Sequence, residues 1–232
     1  MLLVRRIFLV SFGIIGSLFA LILLVGNCMG YGDLPASTQC EMLFPYTLKD
    51  YPLKLHMVTG YDGSYTEEDV DLEVNDVAAL LVENIGDDIL INTRIALYSG
   101  EDCFMFFADI LPPGEKCVLL EQSYRQYINQ KFFNCWASSN LAPYPSLDGS
   151  SVQVRYLDMD TLELTNLTEQ TIKGIYMYHR TWSKEIGAFL GGKTYETYVD
   201  QINPGQLLLI RPRHYAGNNS KVIWITNARL SQ

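Results

Sequence analysis

Two stretches of this chain share one grammar. LPPGEKCVLL at 111–120 and INPGQLLLI at 202–210 each place an apolar residue, Pro-Gly, a polar residue and an apolar run in the same order, and their glycines, Gly114 and Gly205, lie 91 positions apart. Pro presets φ for the second position of a turn, and Gly accepts the positive φ that a type II turn needs next. Type II geometry splays a two-residue hairpin, so each turn is expected to arch between two sheets or close a wider loop, and to restart a buried strand at Glu115 or Gln206. The flanks repeat too. LLVENIGDDILINTRIALY (80–98) and LELTNLTEQTIKGIYMY (162–178) are both a strand ending in Asn, a polar turn and a strand ending in Tyr. Asn84 thus corresponds to Asn166 and Tyr98 to Tyr178. A duplication at this spacing describes two copies of one module, each about 80–100 residues, the size of an immunoglobulin-like sandwich.

The rest of the chain beyond residue 50 agrees. PLKLHMV (52–58) alternates with a period of two, and it is followed by VAALLVEN, ILINTRIALY, CFMFFADI, KCVLLEQ and KFFNCWA. After NLAPYPSLDGSS (140–151) come VQVRYLD, LELTN, IKGIYMYHR, KTYETYVDQI, QLLLIRP and KVIWITNARL. Strand-sized runs separated by turns, with 15 Tyr and 10 Phe to fill them, predict an all-β chain. Only SYRQYINQK (123–131) has the make-up of a short helix. The expected organisation is an anchor at 1–32, a linker at 33–49, a first β-sandwich at 50–142, a linker at 143–150 and a second β-sandwich at 151–232.

The N-terminus sets the address. Two arginines, Arg5 and Arg6, precede an uncharged run from Ile7 to Gly32, of which Ile7–Val25 is 19 residues. As a helix this spans about 28 Å at ~1.5 Å per residue, enough to cross a bilayer core. Positive charge stays cytoplasmic, which puts the C-terminal part outside as a single-pass protein of the cell membrane. The alternative is a signal peptide, removed to release a secreted protein. A third reading, lipidation at Cys28 in VGNC, meets Asn27 where a small residue is wanted. Beyond the apolar segment, 15 basic residues face 26 acidic ones, a net of −11. That balance repels phosphate backbones and argues against nucleic acid as a partner.

ENIGDD…IALY…ILPPGEKCVLL resembles the bacterial Ig-like, adhesion-related sandwich modules, with their Asn-x-Gly turn and later Pro-Gly-Glu turn. The layout as a whole, with FLGGKTYETYV in the second copy, resembles exported, membrane-anchored proteins of Gram-positive bacteria carrying such modules in tandem. The second copy departs from the pattern at Thr168, where a glycine is expected. The resemblance implies a sandwich fold and a surface setting, not an activity.

Several residues invite a sharper reading. GAFLGGKT (187–194) satisfies the phosphate-loop pattern through Gly187, Gly192, Lys193 and Thr194, yet the β-rich KTYETYVDQI follows where a helix is required, so no nucleotide is expected. His56, His179 and His214 show no metal-ligand spacing and read as surface or satisfied core residues. The acidic Glu67, Asp69, Asp71 and Glu73 alternate as a charged strand face rather than a calcium loop. Cys40, Cys103, Cys117 and Cys135 are an even set that permits two disulfides in three connectivities, or four buried thiols. Tyr176, Tyr178, Trp182, Tyr195 and Tyr198 are candidates for an aromatic surface that binds a protein or glycan of the envelope, although sandwich cores also consume such residues. Asn166 and Asn218 head glycosylation sequons.

The expected function is therefore non-catalytic recognition, adhesion or scaffolding at the cell envelope, with no cofactor and no metal. An accessory subunit of a membrane complex is the alternative. An exported hydrolase is the remaining class, and no nucleophile–base or paired-carboxylate spacing points to it.

Overall fold

The structure is a computed structural model that describes residues 40–67, 70–142, 146–147 and 149–229, with side chains described outside 66–71. The anchor or signal segment, Cys28 and the start of the first linker lie outside the described residues. Cys40–Gln232 forms one compact unit. Its elements are β1 (Tyr46–Thr47), β2 (Leu53–Glu67), β3 (Val70–Asn84), β4 (Leu90–Ser99), β5 (Asp102–Leu111), β6 (Lys116–Leu120), β7 (Asn134–Leu141), β8 (Val152–Tyr156), β9 (Leu162–Asn166), β10 (Ile172–Ser183), β11 (Ala188–Leu190), β12 (Tyr195–Ile202), β13 (Leu207–Ile210) and β14 (Ser220–Thr226). The described residues are all-β.

Both halves repeat one strand order. In the first, β2-β3-β6 lies over β5-β4-β7, and in the second, β8-β9-β13 lies over β12-β10-β14. Alternation puts Leu53, Leu55, Leu80 and Val82 on one inner face of the first half, against Ile95, Leu97, Phe104 and Phe106 on the other. In the second half Val152, Leu162 and Leu164 meet Ile175, Met177 and Val199. Side chains of this size contribute roughly 1.5–3 kcal/mol each on full burial, so each half has a hydrophobic core of its own.

The two Pro-Gly turns do arch between sheets, carrying β5 into β6 and β12 into β13. Gly114 sits at φ 68° and Gly205 at φ 65°. The Glu115 amide donates to Pro112 O (3.4 Å) and the Gln206 amide to Asn203 O (3.0 Å), closing each turn. What holds them is the duplicated asparagine. Asn84 is fully buried and its side-chain amide donates to Leu111 O (2.9 Å) and Asp88 O (2.8 Å), while its backbone carbonyl accepts from the Gly114 amide (2.8 Å). Asn166 repeats each bond, to Ile202 O (2.9 Å), Gln170 O (2.7 Å) and from Gly205 (2.9 Å). Thr168 replaces a glycine without harm because its amide still donates to Asn166 Oδ1 (2.9 Å) and its hydroxyl adds a bond there (2.8 Å). In the first copy a Cβ on Gly86 would lie 2.9 Å from Pro52 Cβ, so the glycine stays.

Three expectations change. Residues 123–131 form no helix: Tyr124 and Asn129 adopt positive φ, and the backbone instead bonds β3 through Ala78 N–H to Arg125 O (2.8 Å) and Tyr127 N–H to Asp76 O (2.8 Å). The described part of the first linker is not loose chain. Met42, Phe44, Tyr46 and Leu48 pack alternately against the first core, and Tyr46 and Thr47 pair with Leu55 and Lys54. Finally, β2 and β3 run on as a hairpin of 15 residues per strand, with Glu73 opposite Ser64 in its outer part.

Candidate functional site

The two halves share a sheet, because β11 pairs in parallel with β6, Phe189 opposite Cys117 and Leu190 opposite Val118. Beside this seam lies Arg180, the largest fully buried side chain. Tyr176, Tyr178 and Trp182 of β10 pack with first-half residues, and Arg180 on the same side sets its guanidinium against β5 and β6. Nη2 donates to Asp109 Oδ1 (2.7 Å), Ile110 O (2.7 Å) and Gly192 O (3.2 Å), Nη1 to Cys117 Sγ (3.1 Å) and Nε to Lys193 O (3.1 Å). The other Asp109 oxygen accepts from the amide (2.7 Å) and hydroxyl (2.6 Å) of Thr194.

Electrostatics keep the pair in one state. Burial acts against the Arg180 charge, but Cys117 and Asp109 act for it and its pKa rises. Burial pushes the Cys117 thiol up more than Arg180 pulls it down, so sulfur is a neutral thiol that donates to Gly191 O (3.1 Å). The charge facing Arg180 is therefore the Asp109 carboxylate. The loop that resembles a phosphate cradle holds this carboxylate instead: its Thr194 donors and its Gly192 and Lys193 carbonyls are all engaged in the seam. It runs from strand β11 into strand β12, not into a helix.

The aromatic residues do not form one surface. Tyr178 is buried, stacked on Trp224 at 5.4 Å, with Ile91 and Ile110 of the first half in the same cluster. Trp182 is covered by Phe189 edge-on (4.9 Å) and by the Lys221 ammonium 3.1 Å from its ring centre. Tyr195 stacks between His179 (5.4 Å) and His214 (4.8 Å). Tyr176 and Tyr198 are neighbours (5.1 Å), and of the five only Tyr198 is exposed. The platform expected from alternation is thus divided between the junction, a histidine stack and one open tyrosine.

The other candidates have structural partners. His56 Nε2 lies 2.5 Å from Glu83 Oε2, and Ser64 Oγ donates to Glu73 Oε1. The four cysteines are free thiols. Cys103 aligns with Tyr98 and Asn134, whereas Cys135 aligns with Leu97, so the two occupy opposite faces of their sheet. Asn166 spends its amide nitrogen on buried bonds, which removes it as a sequon. Asp69 lies outside the described residues, and among these no three acidic, cysteine or histidine side chains converge as metal ligands.

Two hollows remain. A cleft of about 40 Å³ beside Glu121 and Lys193 has room for little more than water. A wide groove of about 460 Å³ runs between β8 and β14, with Leu147, Val152, Val154, Val222 and Ile225 along it. All five belong to the second core or pack against it, and Ser146 and Gln153 line the groove beside them. Sequence reading missed both the seam and the groove. The seam's signal was a lone charge in each of two apolar strands, Arg180 in IYMYHRTW and Asp109 in CFMFFADIL.

No family model and no curated protein matches the chain. Among solved structures, a calcium binding mutant of Bacteroides uniformis beta-glucuronidase 2 aligns at 11% identity over 85% of this chain and 27% of that one, with a TM-score of 0.17 that carries no argument.

Proposed function

We propose that the chain is a non-catalytic recognition, adhesion or scaffolding protein of the cell envelope, with two tandem Ig-like sandwiches outside the cytoplasm behind an N-terminal membrane anchor. The strand order supports the module type: β2-β3-β6 over β5-β4-β7 corresponds to strands A-B-E and C′-C-F of an immunoglobulin sandwich. The apolar run behind Arg5 and Arg6 supports the address. The observation that carries the recognition reading is the wide groove between β8 and β14, whose lining sets polar Ser146 and Gln153 beside apolar Leu147, Val154 and Val222. An accessory role in a membrane complex is favoured by Leu207 and Leu209, which point outward from β13 at 61% and 62% exposure.

The test immobilises residues 40–232, and separately the full chain in detergent, against envelope material from the source cell, with a photo-crosslinker at exposed Tyr198. Specific capture by residues 40–232 supports recognition. Capture by the full chain alone moves the role to a membrane complex, and failure of both overturns the proposal.

A further inference from the structure

The duplication makes the two halves a controlled comparison of one feature. In each, the strand that would follow the sixth and complete the second sheet is absent from the described residues. β7 pairs only with β4, and β14 only with β10. The place left open lies between that sixth strand and the first strand of the facing sheet, β2 or β8.

The first half fills this place with its own chain. Residues 42–48 cross it with a bend at Phe44–Pro45, bound at one end to the chain entering β7 through Met42 N–H to Phe132 O (2.7 Å), and at the other to β2 through Tyr46 and Thr47. Met42, Phe44, Tyr46 and Leu48 alternate inward and close the core. The second half has only the start of the same device. Leu147 donates to Ile225 O (2.8 Å) and packs against the second core, as Met42 does in the first. No described strand follows along β8, and the result is the groove of about 460 Å³.

We propose that the β8–β14 groove takes an extended strand of a partner protein, with apolar side chains at alternate positions. The floor would receive every second side chain, and the strand edges would supply backbone hydrogen bonds, as in β-strand addition. The equivalent occupant of the first half has this pattern. A second copy fits less well: its β14 already belongs to a sandwich and could pair only edge to edge, leaving the half-buried Val154 and Val222 uncovered. The inference deepens the recognition reading and rests on it.

The test uses the full chain in detergent and a synthetic nonapeptide, KTVTITVTK, with the same residues reordered so that the apolar ones adjoin as control. Backbone hydrogen exchange is followed along the whole chain and compared between Val152–Tyr156 and Ser220–Thr226 on one hand and β2 and β7 on the other. The alternating peptide is expected to slow exchange there about tenfold, and to crosslink to a photoreactive group at exposed Gln153 but not at Tyr198. Val154→Phe, which fills the groove, is expected to abolish both effects while circular dichroism stays that of the parent. No protection at millimolar peptide, equal protection by the control, or protection confined to β2 and β7 would each overturn the proposal. Capture of an envelope component that persists undiminished in Val154→Phe would also sink the groove while leaving recognition standing.

Discussion

Arg180 and Asp109, 71 positions apart and on different halves, meet at 2.7 Å across the seam. The guanidinium is fully buried, whereas the carboxylate keeps about a quarter of its surface. Removing the anion therefore strands the cation, but removing the cation leaves a carboxylate that water and Thr194 still satisfy. Asp109→Ala is expected to lose about 3–5 kcal/mol, and Arg180→Met distinctly less. Urea unfolding of both variants checks the order, and equal losses would mean the pair acts through packing alone.

The seam also requires backbone contact. A Cβ on Gly192 would lie 1.9 Å from Phe107 O, a clash with main chain that no rotamer relieves. Gly192→Ala is expected to cost at least about 3 kcal/mol. Gly149→Ala, with open space around it, is expected to leave the thermal midpoint within experimental error.

How far the sequence spoke can be read from particular residues. Period-two alternation and Pro-Gly punctuation are local signals, and they located most strands and the matching turns at Asn84 and Asn166. The use of those asparagines was out of reach, because their acceptors on Leu111 and Ile202 are set by strand packing. The aromatic surface failed for a related reason. Alternation says which side chains share a face, but not that Ile91 and Ile110 of the other half cover it. Gly192, Lys193 and Thr194 show the same limit, since a motif of single letters carries no information about Asp109 85 residues earlier.

Asn166 heads a sequon that the fold closes. Its nitrogen would have to leave two carbonyls, at 2.7 and 2.9 Å, before a glycan could attach. In a glycosylating host, mass spectrometry of the folded protein is expected to find glycan at exposed Asn218 and none at Asn166. Asn166→Ala leaves both carbonyls without this donor and is expected to destabilise by about 2 kcal/mol.

Thiol reactivity should follow burial. Cys40 is exposed, Cys103 and Cys135 are half-buried with the Cys135 thiol pushed up by burial, and Cys117 is enclosed by Arg180 and Gly191. Alkylation of the native protein at neutral pH is expected to modify Cys40 first and Cys117 only after denaturant is added. Early loss of Cys117 would mean that the seam opens in the native state.

His179 makes the second half sensitive to acid. It is fully buried between the rings of Tyr195 and Tyr215. Burial lowers its pKa from 6.5 to about 4, with the backbone of Arg213 and His214 acting partly against the shift and the His214 charge adding to it. The folded chain thus refuses a proton that the unfolded chain accepts. This contribution is complete above pH 6.5 and is lost as pH falls toward 4, of the order of 3 kcal/mol in all. His179→Phe keeps an aromatic ring in the stack and removes the proton site. Its stability is expected to fall less steeply than the parent's between pH 6.5 and 4, measured by urea titration at each pH. Parallel slopes would mean that His179 is not the source of the acid sensitivity.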